Sequence, residues 1–380
     1  MAQEKRIGII YSYNENWIGA AYYIQNLIRS LNFLPEDEKI KLYILTKSNE
    51  LFQDLKKATG YEKMEYIQYE PYFSIFERVV NRLSNLILGK IVISKKIQLD
   101  WVFPNYILQE DLKHISNLIF WIPDFQDKYL PDFFLPQEII DRNSSCEIMV
   151  ASKYPIIFSS QTALDDFKKF YPDAKNKVEV LQFAVVHPDL KSTSIVEVKM
   201  KYGIDGDYFI SPNQFWQHKN HNAIIEAALI LKKKGINLKI VFTGKEHDYR
   251  NPDYTTFLKH KVIDYNLQNE ILFLGFIDRT DQLTLMKHAQ AVIQPSLFEG
   301  WSTVVEDAKA LNQTLIVSNI PVHKEQLEDK AYFFNPEDFN ELADQIINVI
   351  ENPQNSLKYD KDYRLNIKRF AQNLNLLINN

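Results

Sequence analysis

The sequence predicts an α/β protein of two doubly wound parallel-sheet domains that face each other across a cleft. Short apolar segments of strand length alternate with amphipathic segments of helix length along most of the chain, which is typical of parallel sheets covered by helices on both faces. The alternation occurs in two series, separated by a polar connector at 184–206. The length of 380 residues also fits two domains, since one domain commonly takes about 150 residues.

The first series begins with a buried strand at 6–12, a loop at 14–21 and a helix at 22–31 that carries apolar side chains at helical spacing. Another helix is predicted at 162–170. The remaining apolar segments of this half predict strands at 41–46, 101–103, 118–122, 155–159 and 178–183.

The second series repeats this pattern. A helix at 222–234 shows the 3.6-residue apolar period. Another helix is predicted to start near 335, with Asn335 as its N-cap and Pro336 as its first residue. Strands are predicted at 208–211, 238–243, 271–276, 291–294, 314–317 and 331–334.

Composition excludes several classes of protein. Apolar residues make up 46% of the chain, and 44 basic against 49 acidic side chains leave a formal charge of -5, so a nucleic-acid partner is not expected. The single cysteine, Cys146, excludes an internal disulfide and a cysteine-based zinc site. We find neither a signal-peptide pattern nor an apolar run of spanning length, which predicts a cytoplasmic protein.

Several motifs are absent. The first strand is not followed by GxGxxG, and the chain has no Walker A sequence and no HExxH, which disfavours a nicotinamide dehydrogenase, a P-loop enzyme and a zincin. The Asp205-Gly206-Asp207 sequence precedes a predicted strand. It therefore lies at the wrong end of a sheet for a metal–diphosphate site, and we interpret it as a turn.

Small residues in the loop after the first strand leave room at the cleft. Gly19, Ala20 and Ala21 permit a ligand or the facing domain to approach the backbone, and the next helix offers free N–H groups to an anion. An ordinary strand-to-helix turn explains the same residues equally well.

A polar segment at 211–221 follows the first strand of the second domain and opens a helix. Lys219 is expected where that strand points into the cleft, and its ammonium group can neutralise diphosphate oxygens. The alternative is a solvated lysine beside two surface histidines.

A second segment, at 295–308, also follows a predicted strand. Glu299 stands at the strand exit, Gly300 allows close approach of another backbone, and Ser302 or Thr303 can cap the next helix. That helix N-terminus suits a phosphate. Asp307, eight positions after Glu299, can accept hydrogen bonds from both ribose hydroxyls. The two carboxylates around a phosphate-binding helix start predict a nucleotide-sugar site.

Three stretches carry a family resemblance. The FEGWSTVVEDAKAL segment resembles the Glu-x7-Glu segment of family-4 retaining glycosyltransferases of the GT-B fold. NQFWQHKNH resembles the phosphate-binding segment of one branch of that family, and WIPDFQDKYLPDFF, with the Gly19 loop, is similar to the branch's N-terminal half. The resemblance covers most of the chain and is strongest over 207–325.

The resemblance implies two Rossmann-like domains, an acceptor-side domain at 1–190 and a nucleotide-sugar domain at 191–355, with a last helix at 356–380 that packs back on the first domain. It also implies that Glu299 and the backbone after it hold the donor sugar. Asp307 falls at the second glutamate of the motif. Glu306 stands beside it, and which of the two acids binds ribose is left open.

Lys219 matches the family's phosphate lysine, whereas Gln214 stands where the family usually has an arginine. His218, His221 or Lys245 is expected to compensate for that charge. The predicted donor-binding residues are Gly19, Asn213, Gln214, His218, Lys219, Lys245, Glu299, Gly300, Trp301, Ser302, Thr303, Glu306 and Asp307. In the first domain, Asp127 falls near the family's cleft histidine. We predict Asp127, Asp124 and Glu299 as the catalytic side chains, because a carboxylate can position or deprotonate an acceptor hydroxyl.

The predicted function is transfer of a sugar from a nucleotide diphosphate sugar to a hydroxyl acceptor, glycan or lipid-linked, with retention and in glycan or envelope polysaccharide synthesis. Neither a metal nor another cofactor is expected, because a lysine and helix N-termini can neutralise the leaving group. Alternatives are a nucleotide-sugar 2-epimerase or phosphorylase of the same fold, and a non-catalytic nucleotide-sugar-binding partner subunit.

The segment 72–94 is apolar and aromatic, with basic residues at Arg78, Arg82 and Lys90. Such a pattern is typical of a helix that lies on a membrane surface or binds an acceptor. A core helix with a solvated basic edge is the other interpretation.

Overall fold

The computed structural model describes residues 5–13, 18–68, 75–88, 92, 99–105, 117–352, 359 and 362–379. Its first sheet has, within these residues, seven parallel strands in the order β3-β2-β1-β4-β5-β6-β7. The strands are β1 (Ile7–Ile10), β2 (Leu42–Thr46), β3 (Met64–Gln68), β4 (Trp101–Asn105), β5 (Asn117–Ile122), β6 (Ile156–Phe158) and β7 (Val178–Val180). The strand order reverses at β1, which is where open α/β sheets form a crevice.

The second described sheet has six parallel strands in the order β10-β9-β8-β11-β12-β13. They are β8 (Tyr208–Ser211), β9 (Lys239–Phe242), β10 (Ile271–Phe273), β11 (Val292–Gln294), β12 (Leu315–Ser318) and β13 (Tyr332–Phe334). Here the order reverses at β8, so the loops that leave β8 and β11 emerge side by side.

Helices connect the strands, as parallel pairing requires. In the first domain these are α1 (Ile18–Ser30), α2 (Asn49–Thr59), α3 (Ile75–Leu88), α4 (Gln126–Tyr129), α5 (Pro136–Ser152) and α6 (Gln161–Phe170). The second half of the chain contains α7 (Ile195–Tyr202), α8 (His221–Lys233), α9 (Tyr254–Asp264), α10 (Arg279–His288), α11 (Thr303–Ala310), α12 (Pro321–Leu327), α13 (Phe339–Glu351) and α14 (Arg364–Asn379).

The two-domain α/β architecture predicted from the sequence is confirmed, and three local predictions were wrong. The loop at 14–21 is shorter than expected, because α1 begins at Ile18 and includes Gly19; residues 14–17 lie outside the described residues. The edge strand β3 was missed, since only Met64 among its residues is buried and the strand lacks a continuous apolar run. The helix predicted from Asn335 starts at Phe339, where the Asp338 side chain accepts from two backbone N–H groups.

The last helix, α14, belongs to the first domain's core although it ends the chain. Phe370 and Leu374 are 1% exposed and pack in one apolar cluster with Tyr23 and Leu27 of α1. Residues 353–358, 360–361 and 380 lie outside the described residues. The chain therefore passes between the domains twice, first through 184–194 and again before α14.

The segment 72–94 contributes α3, while 72–74, 89–91 and 93–94 lie outside the described residues. Val79, Leu83 and Leu86 are 50%, 52% and 76% exposed, so this face of α3 is not part of a core. Among the helices of the described part of the chain, none has both the length and the apolar character needed to cross a membrane.

Phe370→Ala tests how much the return of α14 stabilises the first domain. The substitution removes a buried aromatic ring and should lower the free energy of unfolding by about 3–5 kcal/mol. Leu376→Ala on the same helix is the matched control, because Leu376 is 58% exposed and its loss should cost less than about 0.5 kcal/mol. Urea unfolding of both variants measures the difference, and equal losses would contradict the packing.

Candidate active site

A cavity of about 460 Å³ lies between the domains, with walls from both. It is bounded by residues that follow β5 in the first domain and by the loops that leave β8 and β11 in the second. These are the carboxyl ends of parallel strands, where ligands bind in such folds. The predicted site residues that line it are Gly19, Asp124, Gln214, His218, Lys219, Glu299, Gly300, Trp301, Ser302 and Thr303.

Lys219 and Glu299 form an ion pair at this cavity. The Lys219 Nζ lies 2.6 Å from the Glu299 Oε1, and the two side chains are 19% and 9% exposed. Burial alone would raise the pKa of Glu299, but the neighbouring groups, Lys219 first, together outweigh it and lower that pKa to about 2. The carboxylate is therefore ionised at any physiological pH.

Neighbouring polar side chains hold this carboxylate in place. The Ser296 hydroxyl donates to the Glu299 Oε1 at 2.7 Å and the Gln294 Nε2 donates to it at 2.8 Å. Asn213 donates in turn to the Gln294 Oε1 at 2.7 Å. Asn213 was predicted to touch the donor; it does not line the cavity and instead orients the residue that holds Glu299. The Glu299 Oε2 accepts no hydrogen bond from the described residues and can accept one from a ligand.

Ser302 is the N-cap of α11, since its hydroxyl accepts from the Val305 N–H at 3.4 Å. The Ser302 backbone N–H donates to the Gln326 Oε1 at 2.9 Å. Thr303 is the first helical residue, so of the two predicted capping residues only Ser302 has that role. The beginning of α11 thus lies at the cavity beside Glu299.

Asp307 and Glu306 are placed differently from the prediction, because neither lines the cavity although both are described. The Asp307 carboxylate bonds to His187 at 2.8 Å and to Arg279 at 2.5 Å. Burial would raise the pKa of Asp307, but these partners, Arg279 first, hold it below its ordinary value. Glu306 is tied to Tyr363 and to Lys309. Ribose binding by either acid stays a prediction that requires these bonds to rearrange.

Two of the three predicted substitutes for the arginine missing at position 214, His218 and His221, are neutral histidines. Burial, followed by the charge of Lys219, lowers the pKa of His218 and of His221 to about 3. Neither imidazole therefore carries a charge at neutral pH. Lys245 does not line the cavity. The Gln214 Oε1 accepts from the Trp216 indole N–H at 3.2 Å.

Asp124 and Asp127 share one arginine. The Arg142 Nη2 donates to the Asp124 Oδ1 at 2.8 Å, and its Nε donates to the Asp127 Oδ1 at 2.7 Å. Asp124 lines the cavity, whereas Asp127 on α4 is 4% exposed and does not. The Asp127 carboxylate thus points towards Arg142 of α5, and its contact with an acceptor stays a prediction. Asp124 is the carboxylate that the first domain presents to the cavity.

Gly300 packs directly against the backbone of the first domain. A Cβ atom at Gly300 would lie 2.3 Å from the Pro123 carbonyl oxygen and 2.9 Å from the Asp124 Cβ. The room left by this glycine is thus filled by the facing domain. At Gly19 an added Cβ would meet nothing within 4 Å, so its side of the cavity is open.

Three arginines were missed by the sequence analysis. Arg142 and Arg250 line the cavity, and Arg279 pairs with Asp307. They come from α5, from the loop after β9 and from the first turn of α10. No spacing in the sequence links them to the strand-end motifs, since each reaches the site through its length and the packing of its element.

Among the residues that the structure describes, no group of three histidine, cysteine, aspartate or glutamate side chains could hold a metal ion. Independence of a metal stays a prediction.

Residues 197–370 match the model of the family described as Glycosyl transferases group 1. The second half of this chain is thus similar to glycosyltransferases of this group. The O-antigen chain mannosyltransferase RfbU of Salmonella typhimurium is 26% identical over 239 residues, which cover 63% of this chain and 62% of that protein. The putative glycosyltransferase EpsF of Bacillus subtilis is 29% identical over 125 residues, or 32% and 30% of the two chains. The alignments thus span only part of these relatives.

Solved glycosyltransferase structures share the fold over nearly the whole chain. Alr3699/HepE from Anabaena, determined with UDP and glucose, superposes with a TM-score of 0.63 at 16% identity and covers 99% of this chain and 97% of its own. WaaG, a glycosyltransferase involved in lipopolysaccharide biosynthesis, gives a TM-score of 0.60 at 11% identity over 98% and 97% of the chains. These likenesses show the GT-B fold.

Gly300→Ala should push the two domains apart. The new methyl group cannot fit against the Pro123 carbonyl group, so we expect a larger radius of gyration by X-ray scattering and a loss of about 1–3 kcal/mol in the free energy of unfolding. Gly19→Ala, a helical position with open space, is the control and should leave both quantities unchanged or raise stability by up to about 1 kcal/mol. An unchanged radius for Gly300→Ala would contradict the close approach.

Acid should destabilise the fold through buried histidines. Burial lowers the pKa of His221 to about 3 and that of His323 to about 4, while in the unfolded chain both have a pKa of about 6.5. The unfolded state therefore binds more protons below pH 6.5, and each histidine should cost up to about 1.4 kcal/mol per pH unit as the pH falls from 6.5 towards 4. The stability is fully present above pH 6.5.

Urea unfolding at several values between pH 7.5 and 5 measures this slope. In His221→Phe, a ring of similar shape stacks on Phe215 in place of the imidazole, which lies 4.3 Å from it. The variant should lose the contribution of one histidine to the slope. A slope equal to that of the wild type would show that His221 is not the titrating group.

Proposed function

We propose that this protein transfers a sugar from a nucleotide diphosphate sugar to a hydroxyl group of an acceptor. The observation that carries the proposal is the Lys219–Glu299 pair at the carboxyl ends of β8 and β11, beside the N-terminus of α11 and opposite Asp124. A cation and a helix N-terminus suit a diphosphate, and a fixed carboxylate suits sugar hydroxyls.

On the donor side, binding must change the partner of the Lys219 ammonium group. Lys219 contacts Glu299, and diphosphate oxygens are the stronger partner for its ammonium group because they carry more negative charge. Glu299 keeps its bonds from Ser296 and Gln294, so its carboxylate stays in position to accept from donor hydroxyls. The leaving diphosphate is then stabilised by groups that are already oriented.

On the acceptor side, Asp124 is the group we assign to the incoming hydroxyl. All its side-chain bonds from described residues, those from Gln126 and Arg142, go to the Oδ1. The Oδ2 can therefore accept from an acceptor hydroxyl and orient it. We further propose that transfer retains the anomeric configuration and needs no metal, since side-chain cations neutralise the leaving group.

The similar proteins support an envelope polysaccharide or lipid-linked glycan as the acceptor and a hexose as the transferred sugar. One relative is named an O-antigen chain mannosyltransferase and one structural neighbour acts in lipopolysaccharide biosynthesis. A lipid-linked acceptor lies at a membrane surface. The exposed apolar side chains of α3, beside the exposed Arg82, support a peripheral contact with the cytoplasmic face of the membrane.

Thermal stabilisation by UDP, GDP and dTDP without metal tests the donor site. A nucleotide present at about 100 times its dissociation constant should add about 2.7 kcal/mol to the stability of the wild type. Lys219→Ala should abolish this shift, because the diphosphate loses its cation. Lys233→Ala, which removes an exposed lysine of the same domain, should keep it.

Sugar transfer measured with the donor so identified should fall by about 100- to 1000-fold in Lys219→Ala and in Glu299→Gln. The double variant Lys219→Ala/Glu299→Gln, which leaves no unpaired buried carboxylate, checks that these losses are not unfolding. Absence of any nucleotide shift, or full activity of both single variants, would overturn the site. Free epimerised sugar nucleotide formed without an acceptor would identify a 2-epimerase, and phosphate-dependent release of sugar phosphate a phosphorylase. Nucleotide binding without turnover would identify a non-catalytic binding subunit.

A further inference from the structure

Arg250 is a cation of the cavity wall to which the proposed transfer has so far assigned no part. Its guanidinium carbon lies 4.0 Å from the centre of the Phe134 ring and 4.7 Å from that of Trp216, and its side chain is 14% exposed. Aromatic faces on this scale hold a guanidinium group by cation–π attraction and limit its rotation. The charge is therefore kept at the cavity, although no buried carboxylate of its own domain pairs with it in the described structure.

Its counter-ion comes from the other domain. The Glu138 carboxylate on α5 accepts from the Arg250 Nε at 3.0 Å and from its Nη2 at 3.2 Å, and the Tyr249 hydroxyl donates to the same carboxylate. The Arg250 Nη1 has no hydrogen-bond partner within the described residues. Because Glu138 is 24% exposed, water can solvate its carboxylate when the pair separates, so exchange of partners costs less than it would for a fully buried pair.

A donor diphosphate needs more positive charge than Lys219 provides. Lys219 is already opposed by Glu299, Gln214 is uncharged, and the imidazole of His218 is neutral at physiological pH. Trp216 connects the two places, since its indole donates to Gln214 while its ring lies against Arg250. A planar guanidinium group with a donor to spare is well suited to phosphate oxygens.

We propose that Arg250 is the second cationic ligand of the donor diphosphate, and that it exchanges the Glu138 carboxylate for phosphate oxygens when the donor binds. The inference rests on the proposed nucleotide-sugar donor. Arg250 then serves two partners in turn: it links the domains through Glu138, and it releases α5 when a diphosphate replaces that carboxylate. Departure of the nucleotide diphosphate restores the bond to Glu138.

The exchange predicts opposite effects for the two partners. Calorimetric titration with whichever of UDP, GDP and dTDP stabilises the wild type should show about 10- to 100-fold weaker binding by Arg250→Met, the range expected for a charge-assisted hydrogen bond. Glu138→Gln should tighten binding by up to about fivefold, because it removes the carboxylate charge that competes with phosphate for the Arg250 guanidinium group. Glutamine can still accept from the Leu135 N–H, as Glu138 does, so the start of α5 is preserved.

Two comparisons distinguish diphosphate binding by Arg250 from a purely structural role of Arg250 in the domain contact. The loss in Arg250→Met should be smaller for the corresponding nucleoside monophosphate, because a distal phosphate oxygen is missing. Glu325→Gln is the domain-contact control: Glu325 accepts from the Gln161 and Thr162 N–H groups across the domains but lies outside the cavity lining. It should not reproduce the tightening seen in Glu138→Gln.

The double variant Glu138→Gln/Arg250→Met leaves neither charge unpaired and should still bind the diphosphate weakly. Binding restored to the wild-type level in this variant, or weakened binding in Glu138→Gln, would show that Arg250 only links the two domains. A wild type that binds one nucleotide diphosphate with no dependence on Arg250 would overturn this inference alone. A wild type that binds none of the three would overturn the proposed donor as well.

Discussion

The ion pair between Lys219 and Glu299 is the interaction on which the architecture of the cleft depends. The two residues are 80 positions apart and meet only because β8 and β11 are neighbours at the point where the strand order reverses. A buried pair is stable when its remaining hydrogen bonds are satisfied. Here Ser296 and Gln294 satisfy the carboxylate, and Asn213 fixes Gln294. The ion pair thus holds together the loops that leave β8 and β11, which form one wall of the cavity.

Ion pairs between an arginine and a carboxylate also occur at the cavity and beside it. Arg142 neutralises Asp124, Arg250 pairs with Glu138, and Arg279 pairs with Asp307. These cations are therefore neutralised by carboxylates of the protein itself. A dianionic ligand gains only the difference between its own bonds and those it replaces, so the exposed pairs give way before the buried ones. The site is preorganised where it is buried and exchangeable where it reaches solvent.

Domain contact is part of this arrangement. Gly300 follows Glu299 directly, and its missing side chain lets the Pro123 backbone lie against the loop that leaves β11. On the far side, the Glu325 carboxylate accepts from the backbone at the start of α6. The helix α14 joins the first domain's core after the second domain is complete. The domains are thus linked by two chain crossings, by polar contacts, and by aromatic contacts such as that between Tyr129 and Phe298.

The sequence by itself determined the α/β class, the two series of elements and the positions of Lys219, Glu299 and Gly300. Apolar periodicity is local, and residues that follow strand ends in a parallel sheet must gather at one edge. It could not determine which acid faces the cavity, because Asp124 and Asp127 are separated by a single short turn whose direction depends on Arg142. Nor could it find Arg250, or show that Asp307 is occupied by Arg279 and His187. Those outcomes depend on side chains from distant elements, and only tertiary packing brings them within bonding distance.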